Sequence, residues 1–253
     1  MNAVSASLAD SATMLRRNFR HTMRNPLTLL NAIIMPIFLM FLMVYVMGGG
    51  FSVGTGYVDY ATPGLIIMTI GYGIGPTATG VNSDMTTGFI NRLRVMHVSR
   101  AAVLNAHVIA TMLRTLVAIT LIIGVAFLMG FSPSASFPEW LGAIGIVMLA
   151  ALAISWLTVA AGLAAKSPES AGILGVPLML LPFLSSAFVP ADKMGPGVRE
   201  FAEYQPFTPI IETLRGLLTG TPSAGSAITA IAWCAGLTLV GYLWARATFT
   251  KRA

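Results

Sequence analysis

DMTTGFINRLRVMHVSR, residues 84–100, is a polar, arginine-bearing island in an apolar chain. A membrane crossing takes about 20 predominantly apolar residues, and this stretch is too short and too polar for one. Its arginines, Arg92, Arg94 and Arg100, decide on which side of a bilayer it lies, because short cytosolic segments collect Lys and Arg. A cytosolic amino terminus puts Arg16, Arg17, Arg20 and Arg24 on the same side, and Lys166, Arg246, Lys251 and Arg252 join them. The other side keeps Lys193, Arg199 and Arg215. That distribution predicts six spans with both termini in the cytosol.

Composition agrees. Of 253 residues, 56% are hydrophobic and only 9% charged, where soluble domains carry about 25% charge. The fold expected is an all-α polytopic membrane protein forming a single transmembrane domain over 1–253. Six apolar stretches qualify as spans, at about 27–47, 61–82, 108–131, 141–164, 170–189 and 226–245. Pro63, Pro76 and five glycines interrupt the second, and Pro177 with Pro182 should kink the fifth. Cys234 is the only cysteine, which excludes a disulfide framework and reads as packing. Arg114, about one turn inside the third span, is expected to snorkel to the inner interface, with a partner inside the bundle as the alternative.

Residues 8–25 read as an amphipathic helix on the membrane surface. Leu8, Ala12, Leu15, Phe19 and Met23 recur on one face, and Arg16, Arg20 and Arg24 stack four apart on another. Headgroup attraction and docking of a cytosolic partner both explain it. The twin arginine at 16–17 resembles an export signal, but the apolar run that follows is too long and lacks a cleavage site. Beyond the first span, Tyr57 and Tyr60 suit the interfacial belt. Residues 190–225 hold a short helix up to Tyr204 and a second from about Thr208 to Leu218. Ile210, Ile211, Leu214 and Leu218 make the second apolar on one face, and Glu212 with Arg215 forms a possible i,i+3 pair. Such a segment should fold back on the spans as a lid or short re-entrant element.

Motifs of other functions fail on context. TIGYG at 69–73 approximates a potassium filter but lacks the following span, and a filter would leave three arginines outside. Gly71 and Gly75 instead suggest a small-residue packing face. There is no HExxH and no G-x-S-x-G, and His21, His97 and His107 are not spaced as metal ligands. No phosphate loop occurs, so ATP-driven work would need another chain to hold the nucleotide.

Placed at a helix start, Asp84 would cap free N–H groups. Met85, Phe89, Leu93 and Met96 then share one face, with Thr87, Asn91 and Arg94 largely opposite. This acidic opening, the Thr-Gly, FINRLR and SRAAVL resemble the cytosolic segment of type-2 ABC exporter permeases, in the daunorubicin-resistance branch. Ala187-Phe188-Val189-Pro190, then Pro206, Arg215 and Gly220, resemble that family's motif after its fifth span. Together with span number and order, the resemblance covers nearly the whole chain. Two positions depart from it: His97 where proline is common, and Gln205-Pro206 where Asn-Pro is common.

The resemblance implies a permease subunit that exports an antibiotic-like small molecule or a lipid from a bacterium across its cytoplasmic membrane. It implies pairing with a second copy or a paralogue, and a separate cytosolic ATPase that holds ATP and Mg. The chain itself would be no enzyme, would bind no cofactor or metal, and would have no nucleic-acid partner. Contact with the ATPase would use the 84–100 coupling helix, through Asp84, Gly88, Phe89, Ile90, Arg92, Leu93, Arg94 and Arg100. The interface helix would add Arg16, Arg17, Phe19, Arg20 and Arg24. Phe188, Pro190, Pro206, Arg215 and Gly220 would shape the outer lid. Phe89 and Leu93 cannot serve both ATPase and lipid fully, and the sequence does not apportion them. A self-contained transporter or channel and a non-transporting scaffold are the remaining alternatives.

Overall fold

The computed structural model describes residues 26–50, 56–86 and 100–252. Every regular element among them is a helix. Helix α1, Pro26–Phe41, contains Pro36 and passes into a π-helical turn, Leu42–Met47, and a 3-10 turn, Gly48–Gly50. Helices α2, Tyr57–Tyr72, and α3, Ile74–Thr86, run on as one span broken only at Gly73. Pro76 has no N–H to give the Tyr72 carbonyl, so the ladder fails there. Gly73 N–H bonds instead to Ile70 O at 3.1 Å. This second span is longer than the 61–82 expected, and Pro63 lies inside it without ending it.

Helix α4, Arg100–Leu128, begins eight residues earlier than the sequence suggested. It stops at Gly130, whose φ of +94° is a left-handed position, while Phe131 N–H returns to Ala126 O at 2.9 Å. Helix α5, Phe137–Ala164, opens on a capping box in which the Glu139 carboxylate accepts the N–H and hydroxyl of Ser136. The fifth apolar stretch is broken, as its prolines required. It forms α6, Pro168–Leu174, α7, Val176–Leu180, and a 3-10 turn at Leu181–Leu184. After a 3-10 turn at Ala191–Lys193 come α8, Val198–Tyr204, α9, Phe207–Leu218, and α10, Ala224–Arg252.

Four stretches among the described residues are long and apolar enough to cross a membrane: Tyr57–Thr86, Leu104–Leu128, Phe137–Ala164 and Ala224–Lys251. Ile33–Val46 and Pro168–Leu184 are shorter apolar helical segments. Tyr57–Thr86 is the centre of the bundle, with 72% of its most apolar stretch buried, against 17% for α10 at the periphery. Close backbone approaches set this packing. A Cβ on Gly162 of α5 would stand 2.6 Å from Ala78 O, and one on Gly241 of α10 would stand 2.8 Å from Leu157 N. Gly71 faces Met179 of α7 as the small-residue reading expected, but Gly75 has open space around it.

Two large apolar clusters, and a small one of Ala78, Ala165 and Ala171, fill the bundle among the described residues. The largest joins α2 to α9 and the α9-side halves of α4 and α5, and includes Leu65, Ile67, Ile122, Ile211 and Leu214. The second, with Val81, Leu104, Val108, Trp156, Leu163 and Phe249, closes the opposite end. Cys234 is buried and free, in the packing role its sequence context implied.

Candidate functional site

The first constellation is the chain after α7. Four of the five motif residues expected there have a geometric reason. Pro206 precedes α9 at the N-cap position with φ −65°, where no N–H is required. Gly220 ends α9: its φ of +70° favours glycine, and Thr221 N–H closes on Gly216 O at 2.8 Å. Phe188 is buried, its carbonyl accepting the Tyr57 hydroxyl at 3.3 Å. Arg215 is the tie. Its Nε and Nη2 donate to Tyr60 O at 3.2 Å each, and Nη2 also donates to Ser186 O at 2.8 Å. Nη1 meets the Glu212 carboxylate, the i,i+3 pair anticipated from spacing. The guanidinium carbon lies 3.8 Å from the centroid of the Tyr60 ring. The fifth, Pro190, opens the Ala191–Lys193 turn through a bond from Lys193 N–H and is not part of this tie.

Tyr57 and Tyr60 therefore depart from the interfacial role expected of them. Both are buried, and Tyr60 donates its hydroxyl to Ser186 O at 3.0 Å. The reason is Gly64: its lack of a side chain lets Ala187 approach so closely that a Cβ would stand 2.7 Å from the Ala187 Cβ. Gln205, where the resembled family has asparagine, reaches Leu184 O with its amide nitrogen. Ile210, Ile211, Leu214 and Leu218 are all buried, as the apolar face of α9 predicted. On α8, hydrogen bonds from the N–H groups of Glu200 and Gly197 hold the Glu200 carboxyl below its ordinary range. Beside Arg215 lies a cavity of about 510 Å³ lined by Asp59, Tyr60, Glu212 and hydroxyls such as Thr219 and Ser223. A smaller apolar cavity of about 190 Å³ lies between α2, α4, α5 and α9, with Trp140 and Leu214 in its wall.

The second constellation is at the opposite end of the bundle, and sequence reading did not anticipate it. Asp84 was expected at a helix start facing a partner. It lies instead in the last turn of α3, buried, with Oδ2 3.0 Å from His107 Nε2. Above that pair, the Thr77 hydroxyl meets the Thr111 hydroxyl at 3.0 Å. Arg114 does not snorkel outward but donates from Nη2 to Thr77 Oγ1. Asn82 donates to Gly162 O at 3.0 Å and Ala165 O at 2.7 Å, capping the end of α5. The signal was available in pieces. Thr77 and Asp84 are seven apart on α3, and His107, Thr111 and Arg114 follow i, i+4, i+7 on α4. Each is a polar stripe on an apolar helix.

Gly88, Phe89, Ile90, Arg92, Leu93 and Arg94 lie outside the described residues, as do Arg16, Arg17, Phe19, Arg20, Arg24, His21 and His97. Arg100 is the first residue of α4. Among the described residues no group of three or more His, Cys, Asp or Glu side chains could hold a metal.

Comparison with known proteins follows the same outline. Residues 11–219 match a family model described as ABC-2 type transporter. The daunorubicin resistance ABC transporter permease protein DrrB1 of Streptomyces coeruleorubidus is 26% identical over 223 residues, which are 87% of this chain and 77% of that protein. The probable doxorubicin resistance ABC transporter permease protein DrrC of Mycobacterium tuberculosis is 25% identical over 248 residues, covering 94% and 87% respectively.

Proposed function

The chain belongs to the ABC-2 type transporter family, and from that premise we propose that it is the membrane-spanning subunit of an ATP-driven exporter. The four long apolar helices and the segments Ile33–Val46 and Pro168–Leu184 make six crossings, with both termini in the cytosol of a bacterium. On that topology α8 and α9 face outward, and residues 87–99, between α3 and α4, face the cytosol. Two subunits, identical or paralogous, pair in the cytoplasmic membrane. Each rests on a cytosolic ATPase that holds ATP and Mg.

Phe89 and Leu93 anchor that contact in an apolar groove, and Arg92, Arg94 and Arg100 pair with acids around it. The amino-terminal arginines add a second point of attachment. Asp84 is not part of this surface, because its carboxylate is buried against His107. The cargo is a hydrophobic or amphipathic small molecule of the antibiotic type, or a lipid; the names of the two relatives support the first class.

The observation that carries the reading is the family match across 11–219, which includes the arginine-bearing segment, α3, α4 and the tied α9. Co-expression with an ABC ATPase encoded beside the permease gene, followed by pull-down, tests it. Wild-type chain retains the ATPase, whereas Phe89→Ala weakens and Leu93→Asp abolishes retention. Equal retention by all three would refute the assignment of the 87–99 surface.

A further inference from the structure

Residues 87–99 connect Thr86, the last described residue of α3, to Arg100, the first described residue of α4. Anything that pushes on residues 87–99 therefore acts on the roots of two different helices. What those roots do depends on how they are joined. Asp84 lies two residues before the end of α3, and His107 lies seven residues into α4. Their side chains meet at 3.0 Å and are 10% and 12% exposed, so the bond is sheltered from water. About two helical turns deeper on α3, Thr77 and Thr111 bond across the same interface, and Arg114 reaches back from α4 to Thr77. Thr111 also donates to His107 O, which ties the two levels together on α4.

Apolar packing alone would let two helices slide, because one side chain against another has no preferred partner in hydrocarbon. Directional bonds between unlike groups fix register, and a polar group sheltered from water is costly to separate from a donor it has found. We propose that Asp84 and His107 are positioning residues that lock the roots of α3 and α4 into one lever. Movement of the cytosolic segment then reaches both spans together. The inference rests on the ATPase-coupled reading above for its purpose, but its structural half does not.

Two measurements separate the halves. Hydrogen exchange is followed on the purified permease alone, in vesicles of phosphatidylethanolamine and phosphatidylglycerol. ATP turnover and pull-down are followed on the permease–ATPase complex in the same lipid. In Asp84→Asn, amides in residues 80–86 and 104–108 exchange about tenfold faster, because the root opens locally. Pull-down is unchanged, and ATP turnover per assembled complex recovered falls about fivefold, a normalisation that removes the contribution of any unfolded protein. Asp84→Glu recovers most of that turnover. The exchanged pair, Asp84→His with His107→Asp, recovers more than either single change. Unchanged exchange in Asp84→Asn, unchanged turnover per complex, or loss of ATPase binding would each overturn the proposal. Wild-type chain that retains no ATPase would strike the subunit reading instead, and the exchange data on the permease alone would still decide whether the pair joins the roots.

Discussion

Replacing Arg215 by leucine removes a side chain that hydrogen-bonds both α2 and the stretch before Pro190. Four interactions go together: the paired donation to Tyr60 O, the bond to Ser186 O, the Glu212 pair and the contact with the Tyr60 ring. Hydrogen bonds from a charged donor contribute about 1.5–3 kcal/mol each, and a partly desolvated cation–π contact about 1–2 kcal/mol. The acceptors are not orphaned, however. Ser186 O keeps the Tyr60 hydroxyl, and Tyr60 O lies within α2, where the helical ladder supplies its usual donor. Glu212, with a side chain 39% exposed, is hydrated when freed. The net loss expected is therefore about 3–5 kcal/mol rather than the full sum. Arg215→Lys keeps the charge and one bond but not the fork, and should lose about half as much.

Thermal unfolding of the detergent-purified, fluorescently tagged chain measures this by size-exclusion recovery. A drop of about 10 °C is expected for leucine and about 5 °C for lysine. Tyr60→Phe, which removes only the hydroxyl bond, should lower stability by about 1 kcal/mol. If Arg215→Leu and Arg215→Lys both unfold within 2 °C of wild type, or about 1 kcal/mol, the tie is not what holds α9 and the reasoning fails.

Two further outcomes test the fold around that tie. Gly64→Ala places a methyl 2.7–2.8 Å from Ala187, backbone included, and should cost about 1–3 kcal/mol in the same assay. Gly80→Ala has open space and should stabilise slightly; reversal of that order would contradict the α2 packing. Glu203→Cys, on exposed α8, should react with a membrane-impermeant maleimide added to intact cells, and labelling only after lysis would invert the proposed topology.

The segment after α7 was more legible than the α3–α4 end of the bundle, and chain distance explains why. Glu212–Arg215, the apolar stripe at 210, 211, 214 and 218, and the glycine past the helix are local patterns, governed by helical periodicity and turn stereochemistry. The Asp84–His107 pair joins residues 23 apart across two antiparallel helices. No local rule says which polar residue of one span will face which of the next. Arg114 misled for the same reason. A lone arginine one turn inside a span has a default, snorkelling, and only the position of Thr77 on a neighbouring helix replaced it.

The sequence by itself determined that the chain is helical and membrane-embedded. It also located the apolar stretches and the segments too polar or too broken to span. These follow from composition, run length and proline chemistry, which act residue by residue. Tertiary structure alone decided that Tyr57 and Tyr60 turn inward and that Asp84 is inside rather than at a surface. It alone decided that Arg215 gathers Tyr60 and Ser186. In each case the deciding partner is supplied by a helix distant in the chain. Where a side chain can satisfy its polar group, and so which face of its helix it serves, is set by what that distant helix brings within about 3 Å.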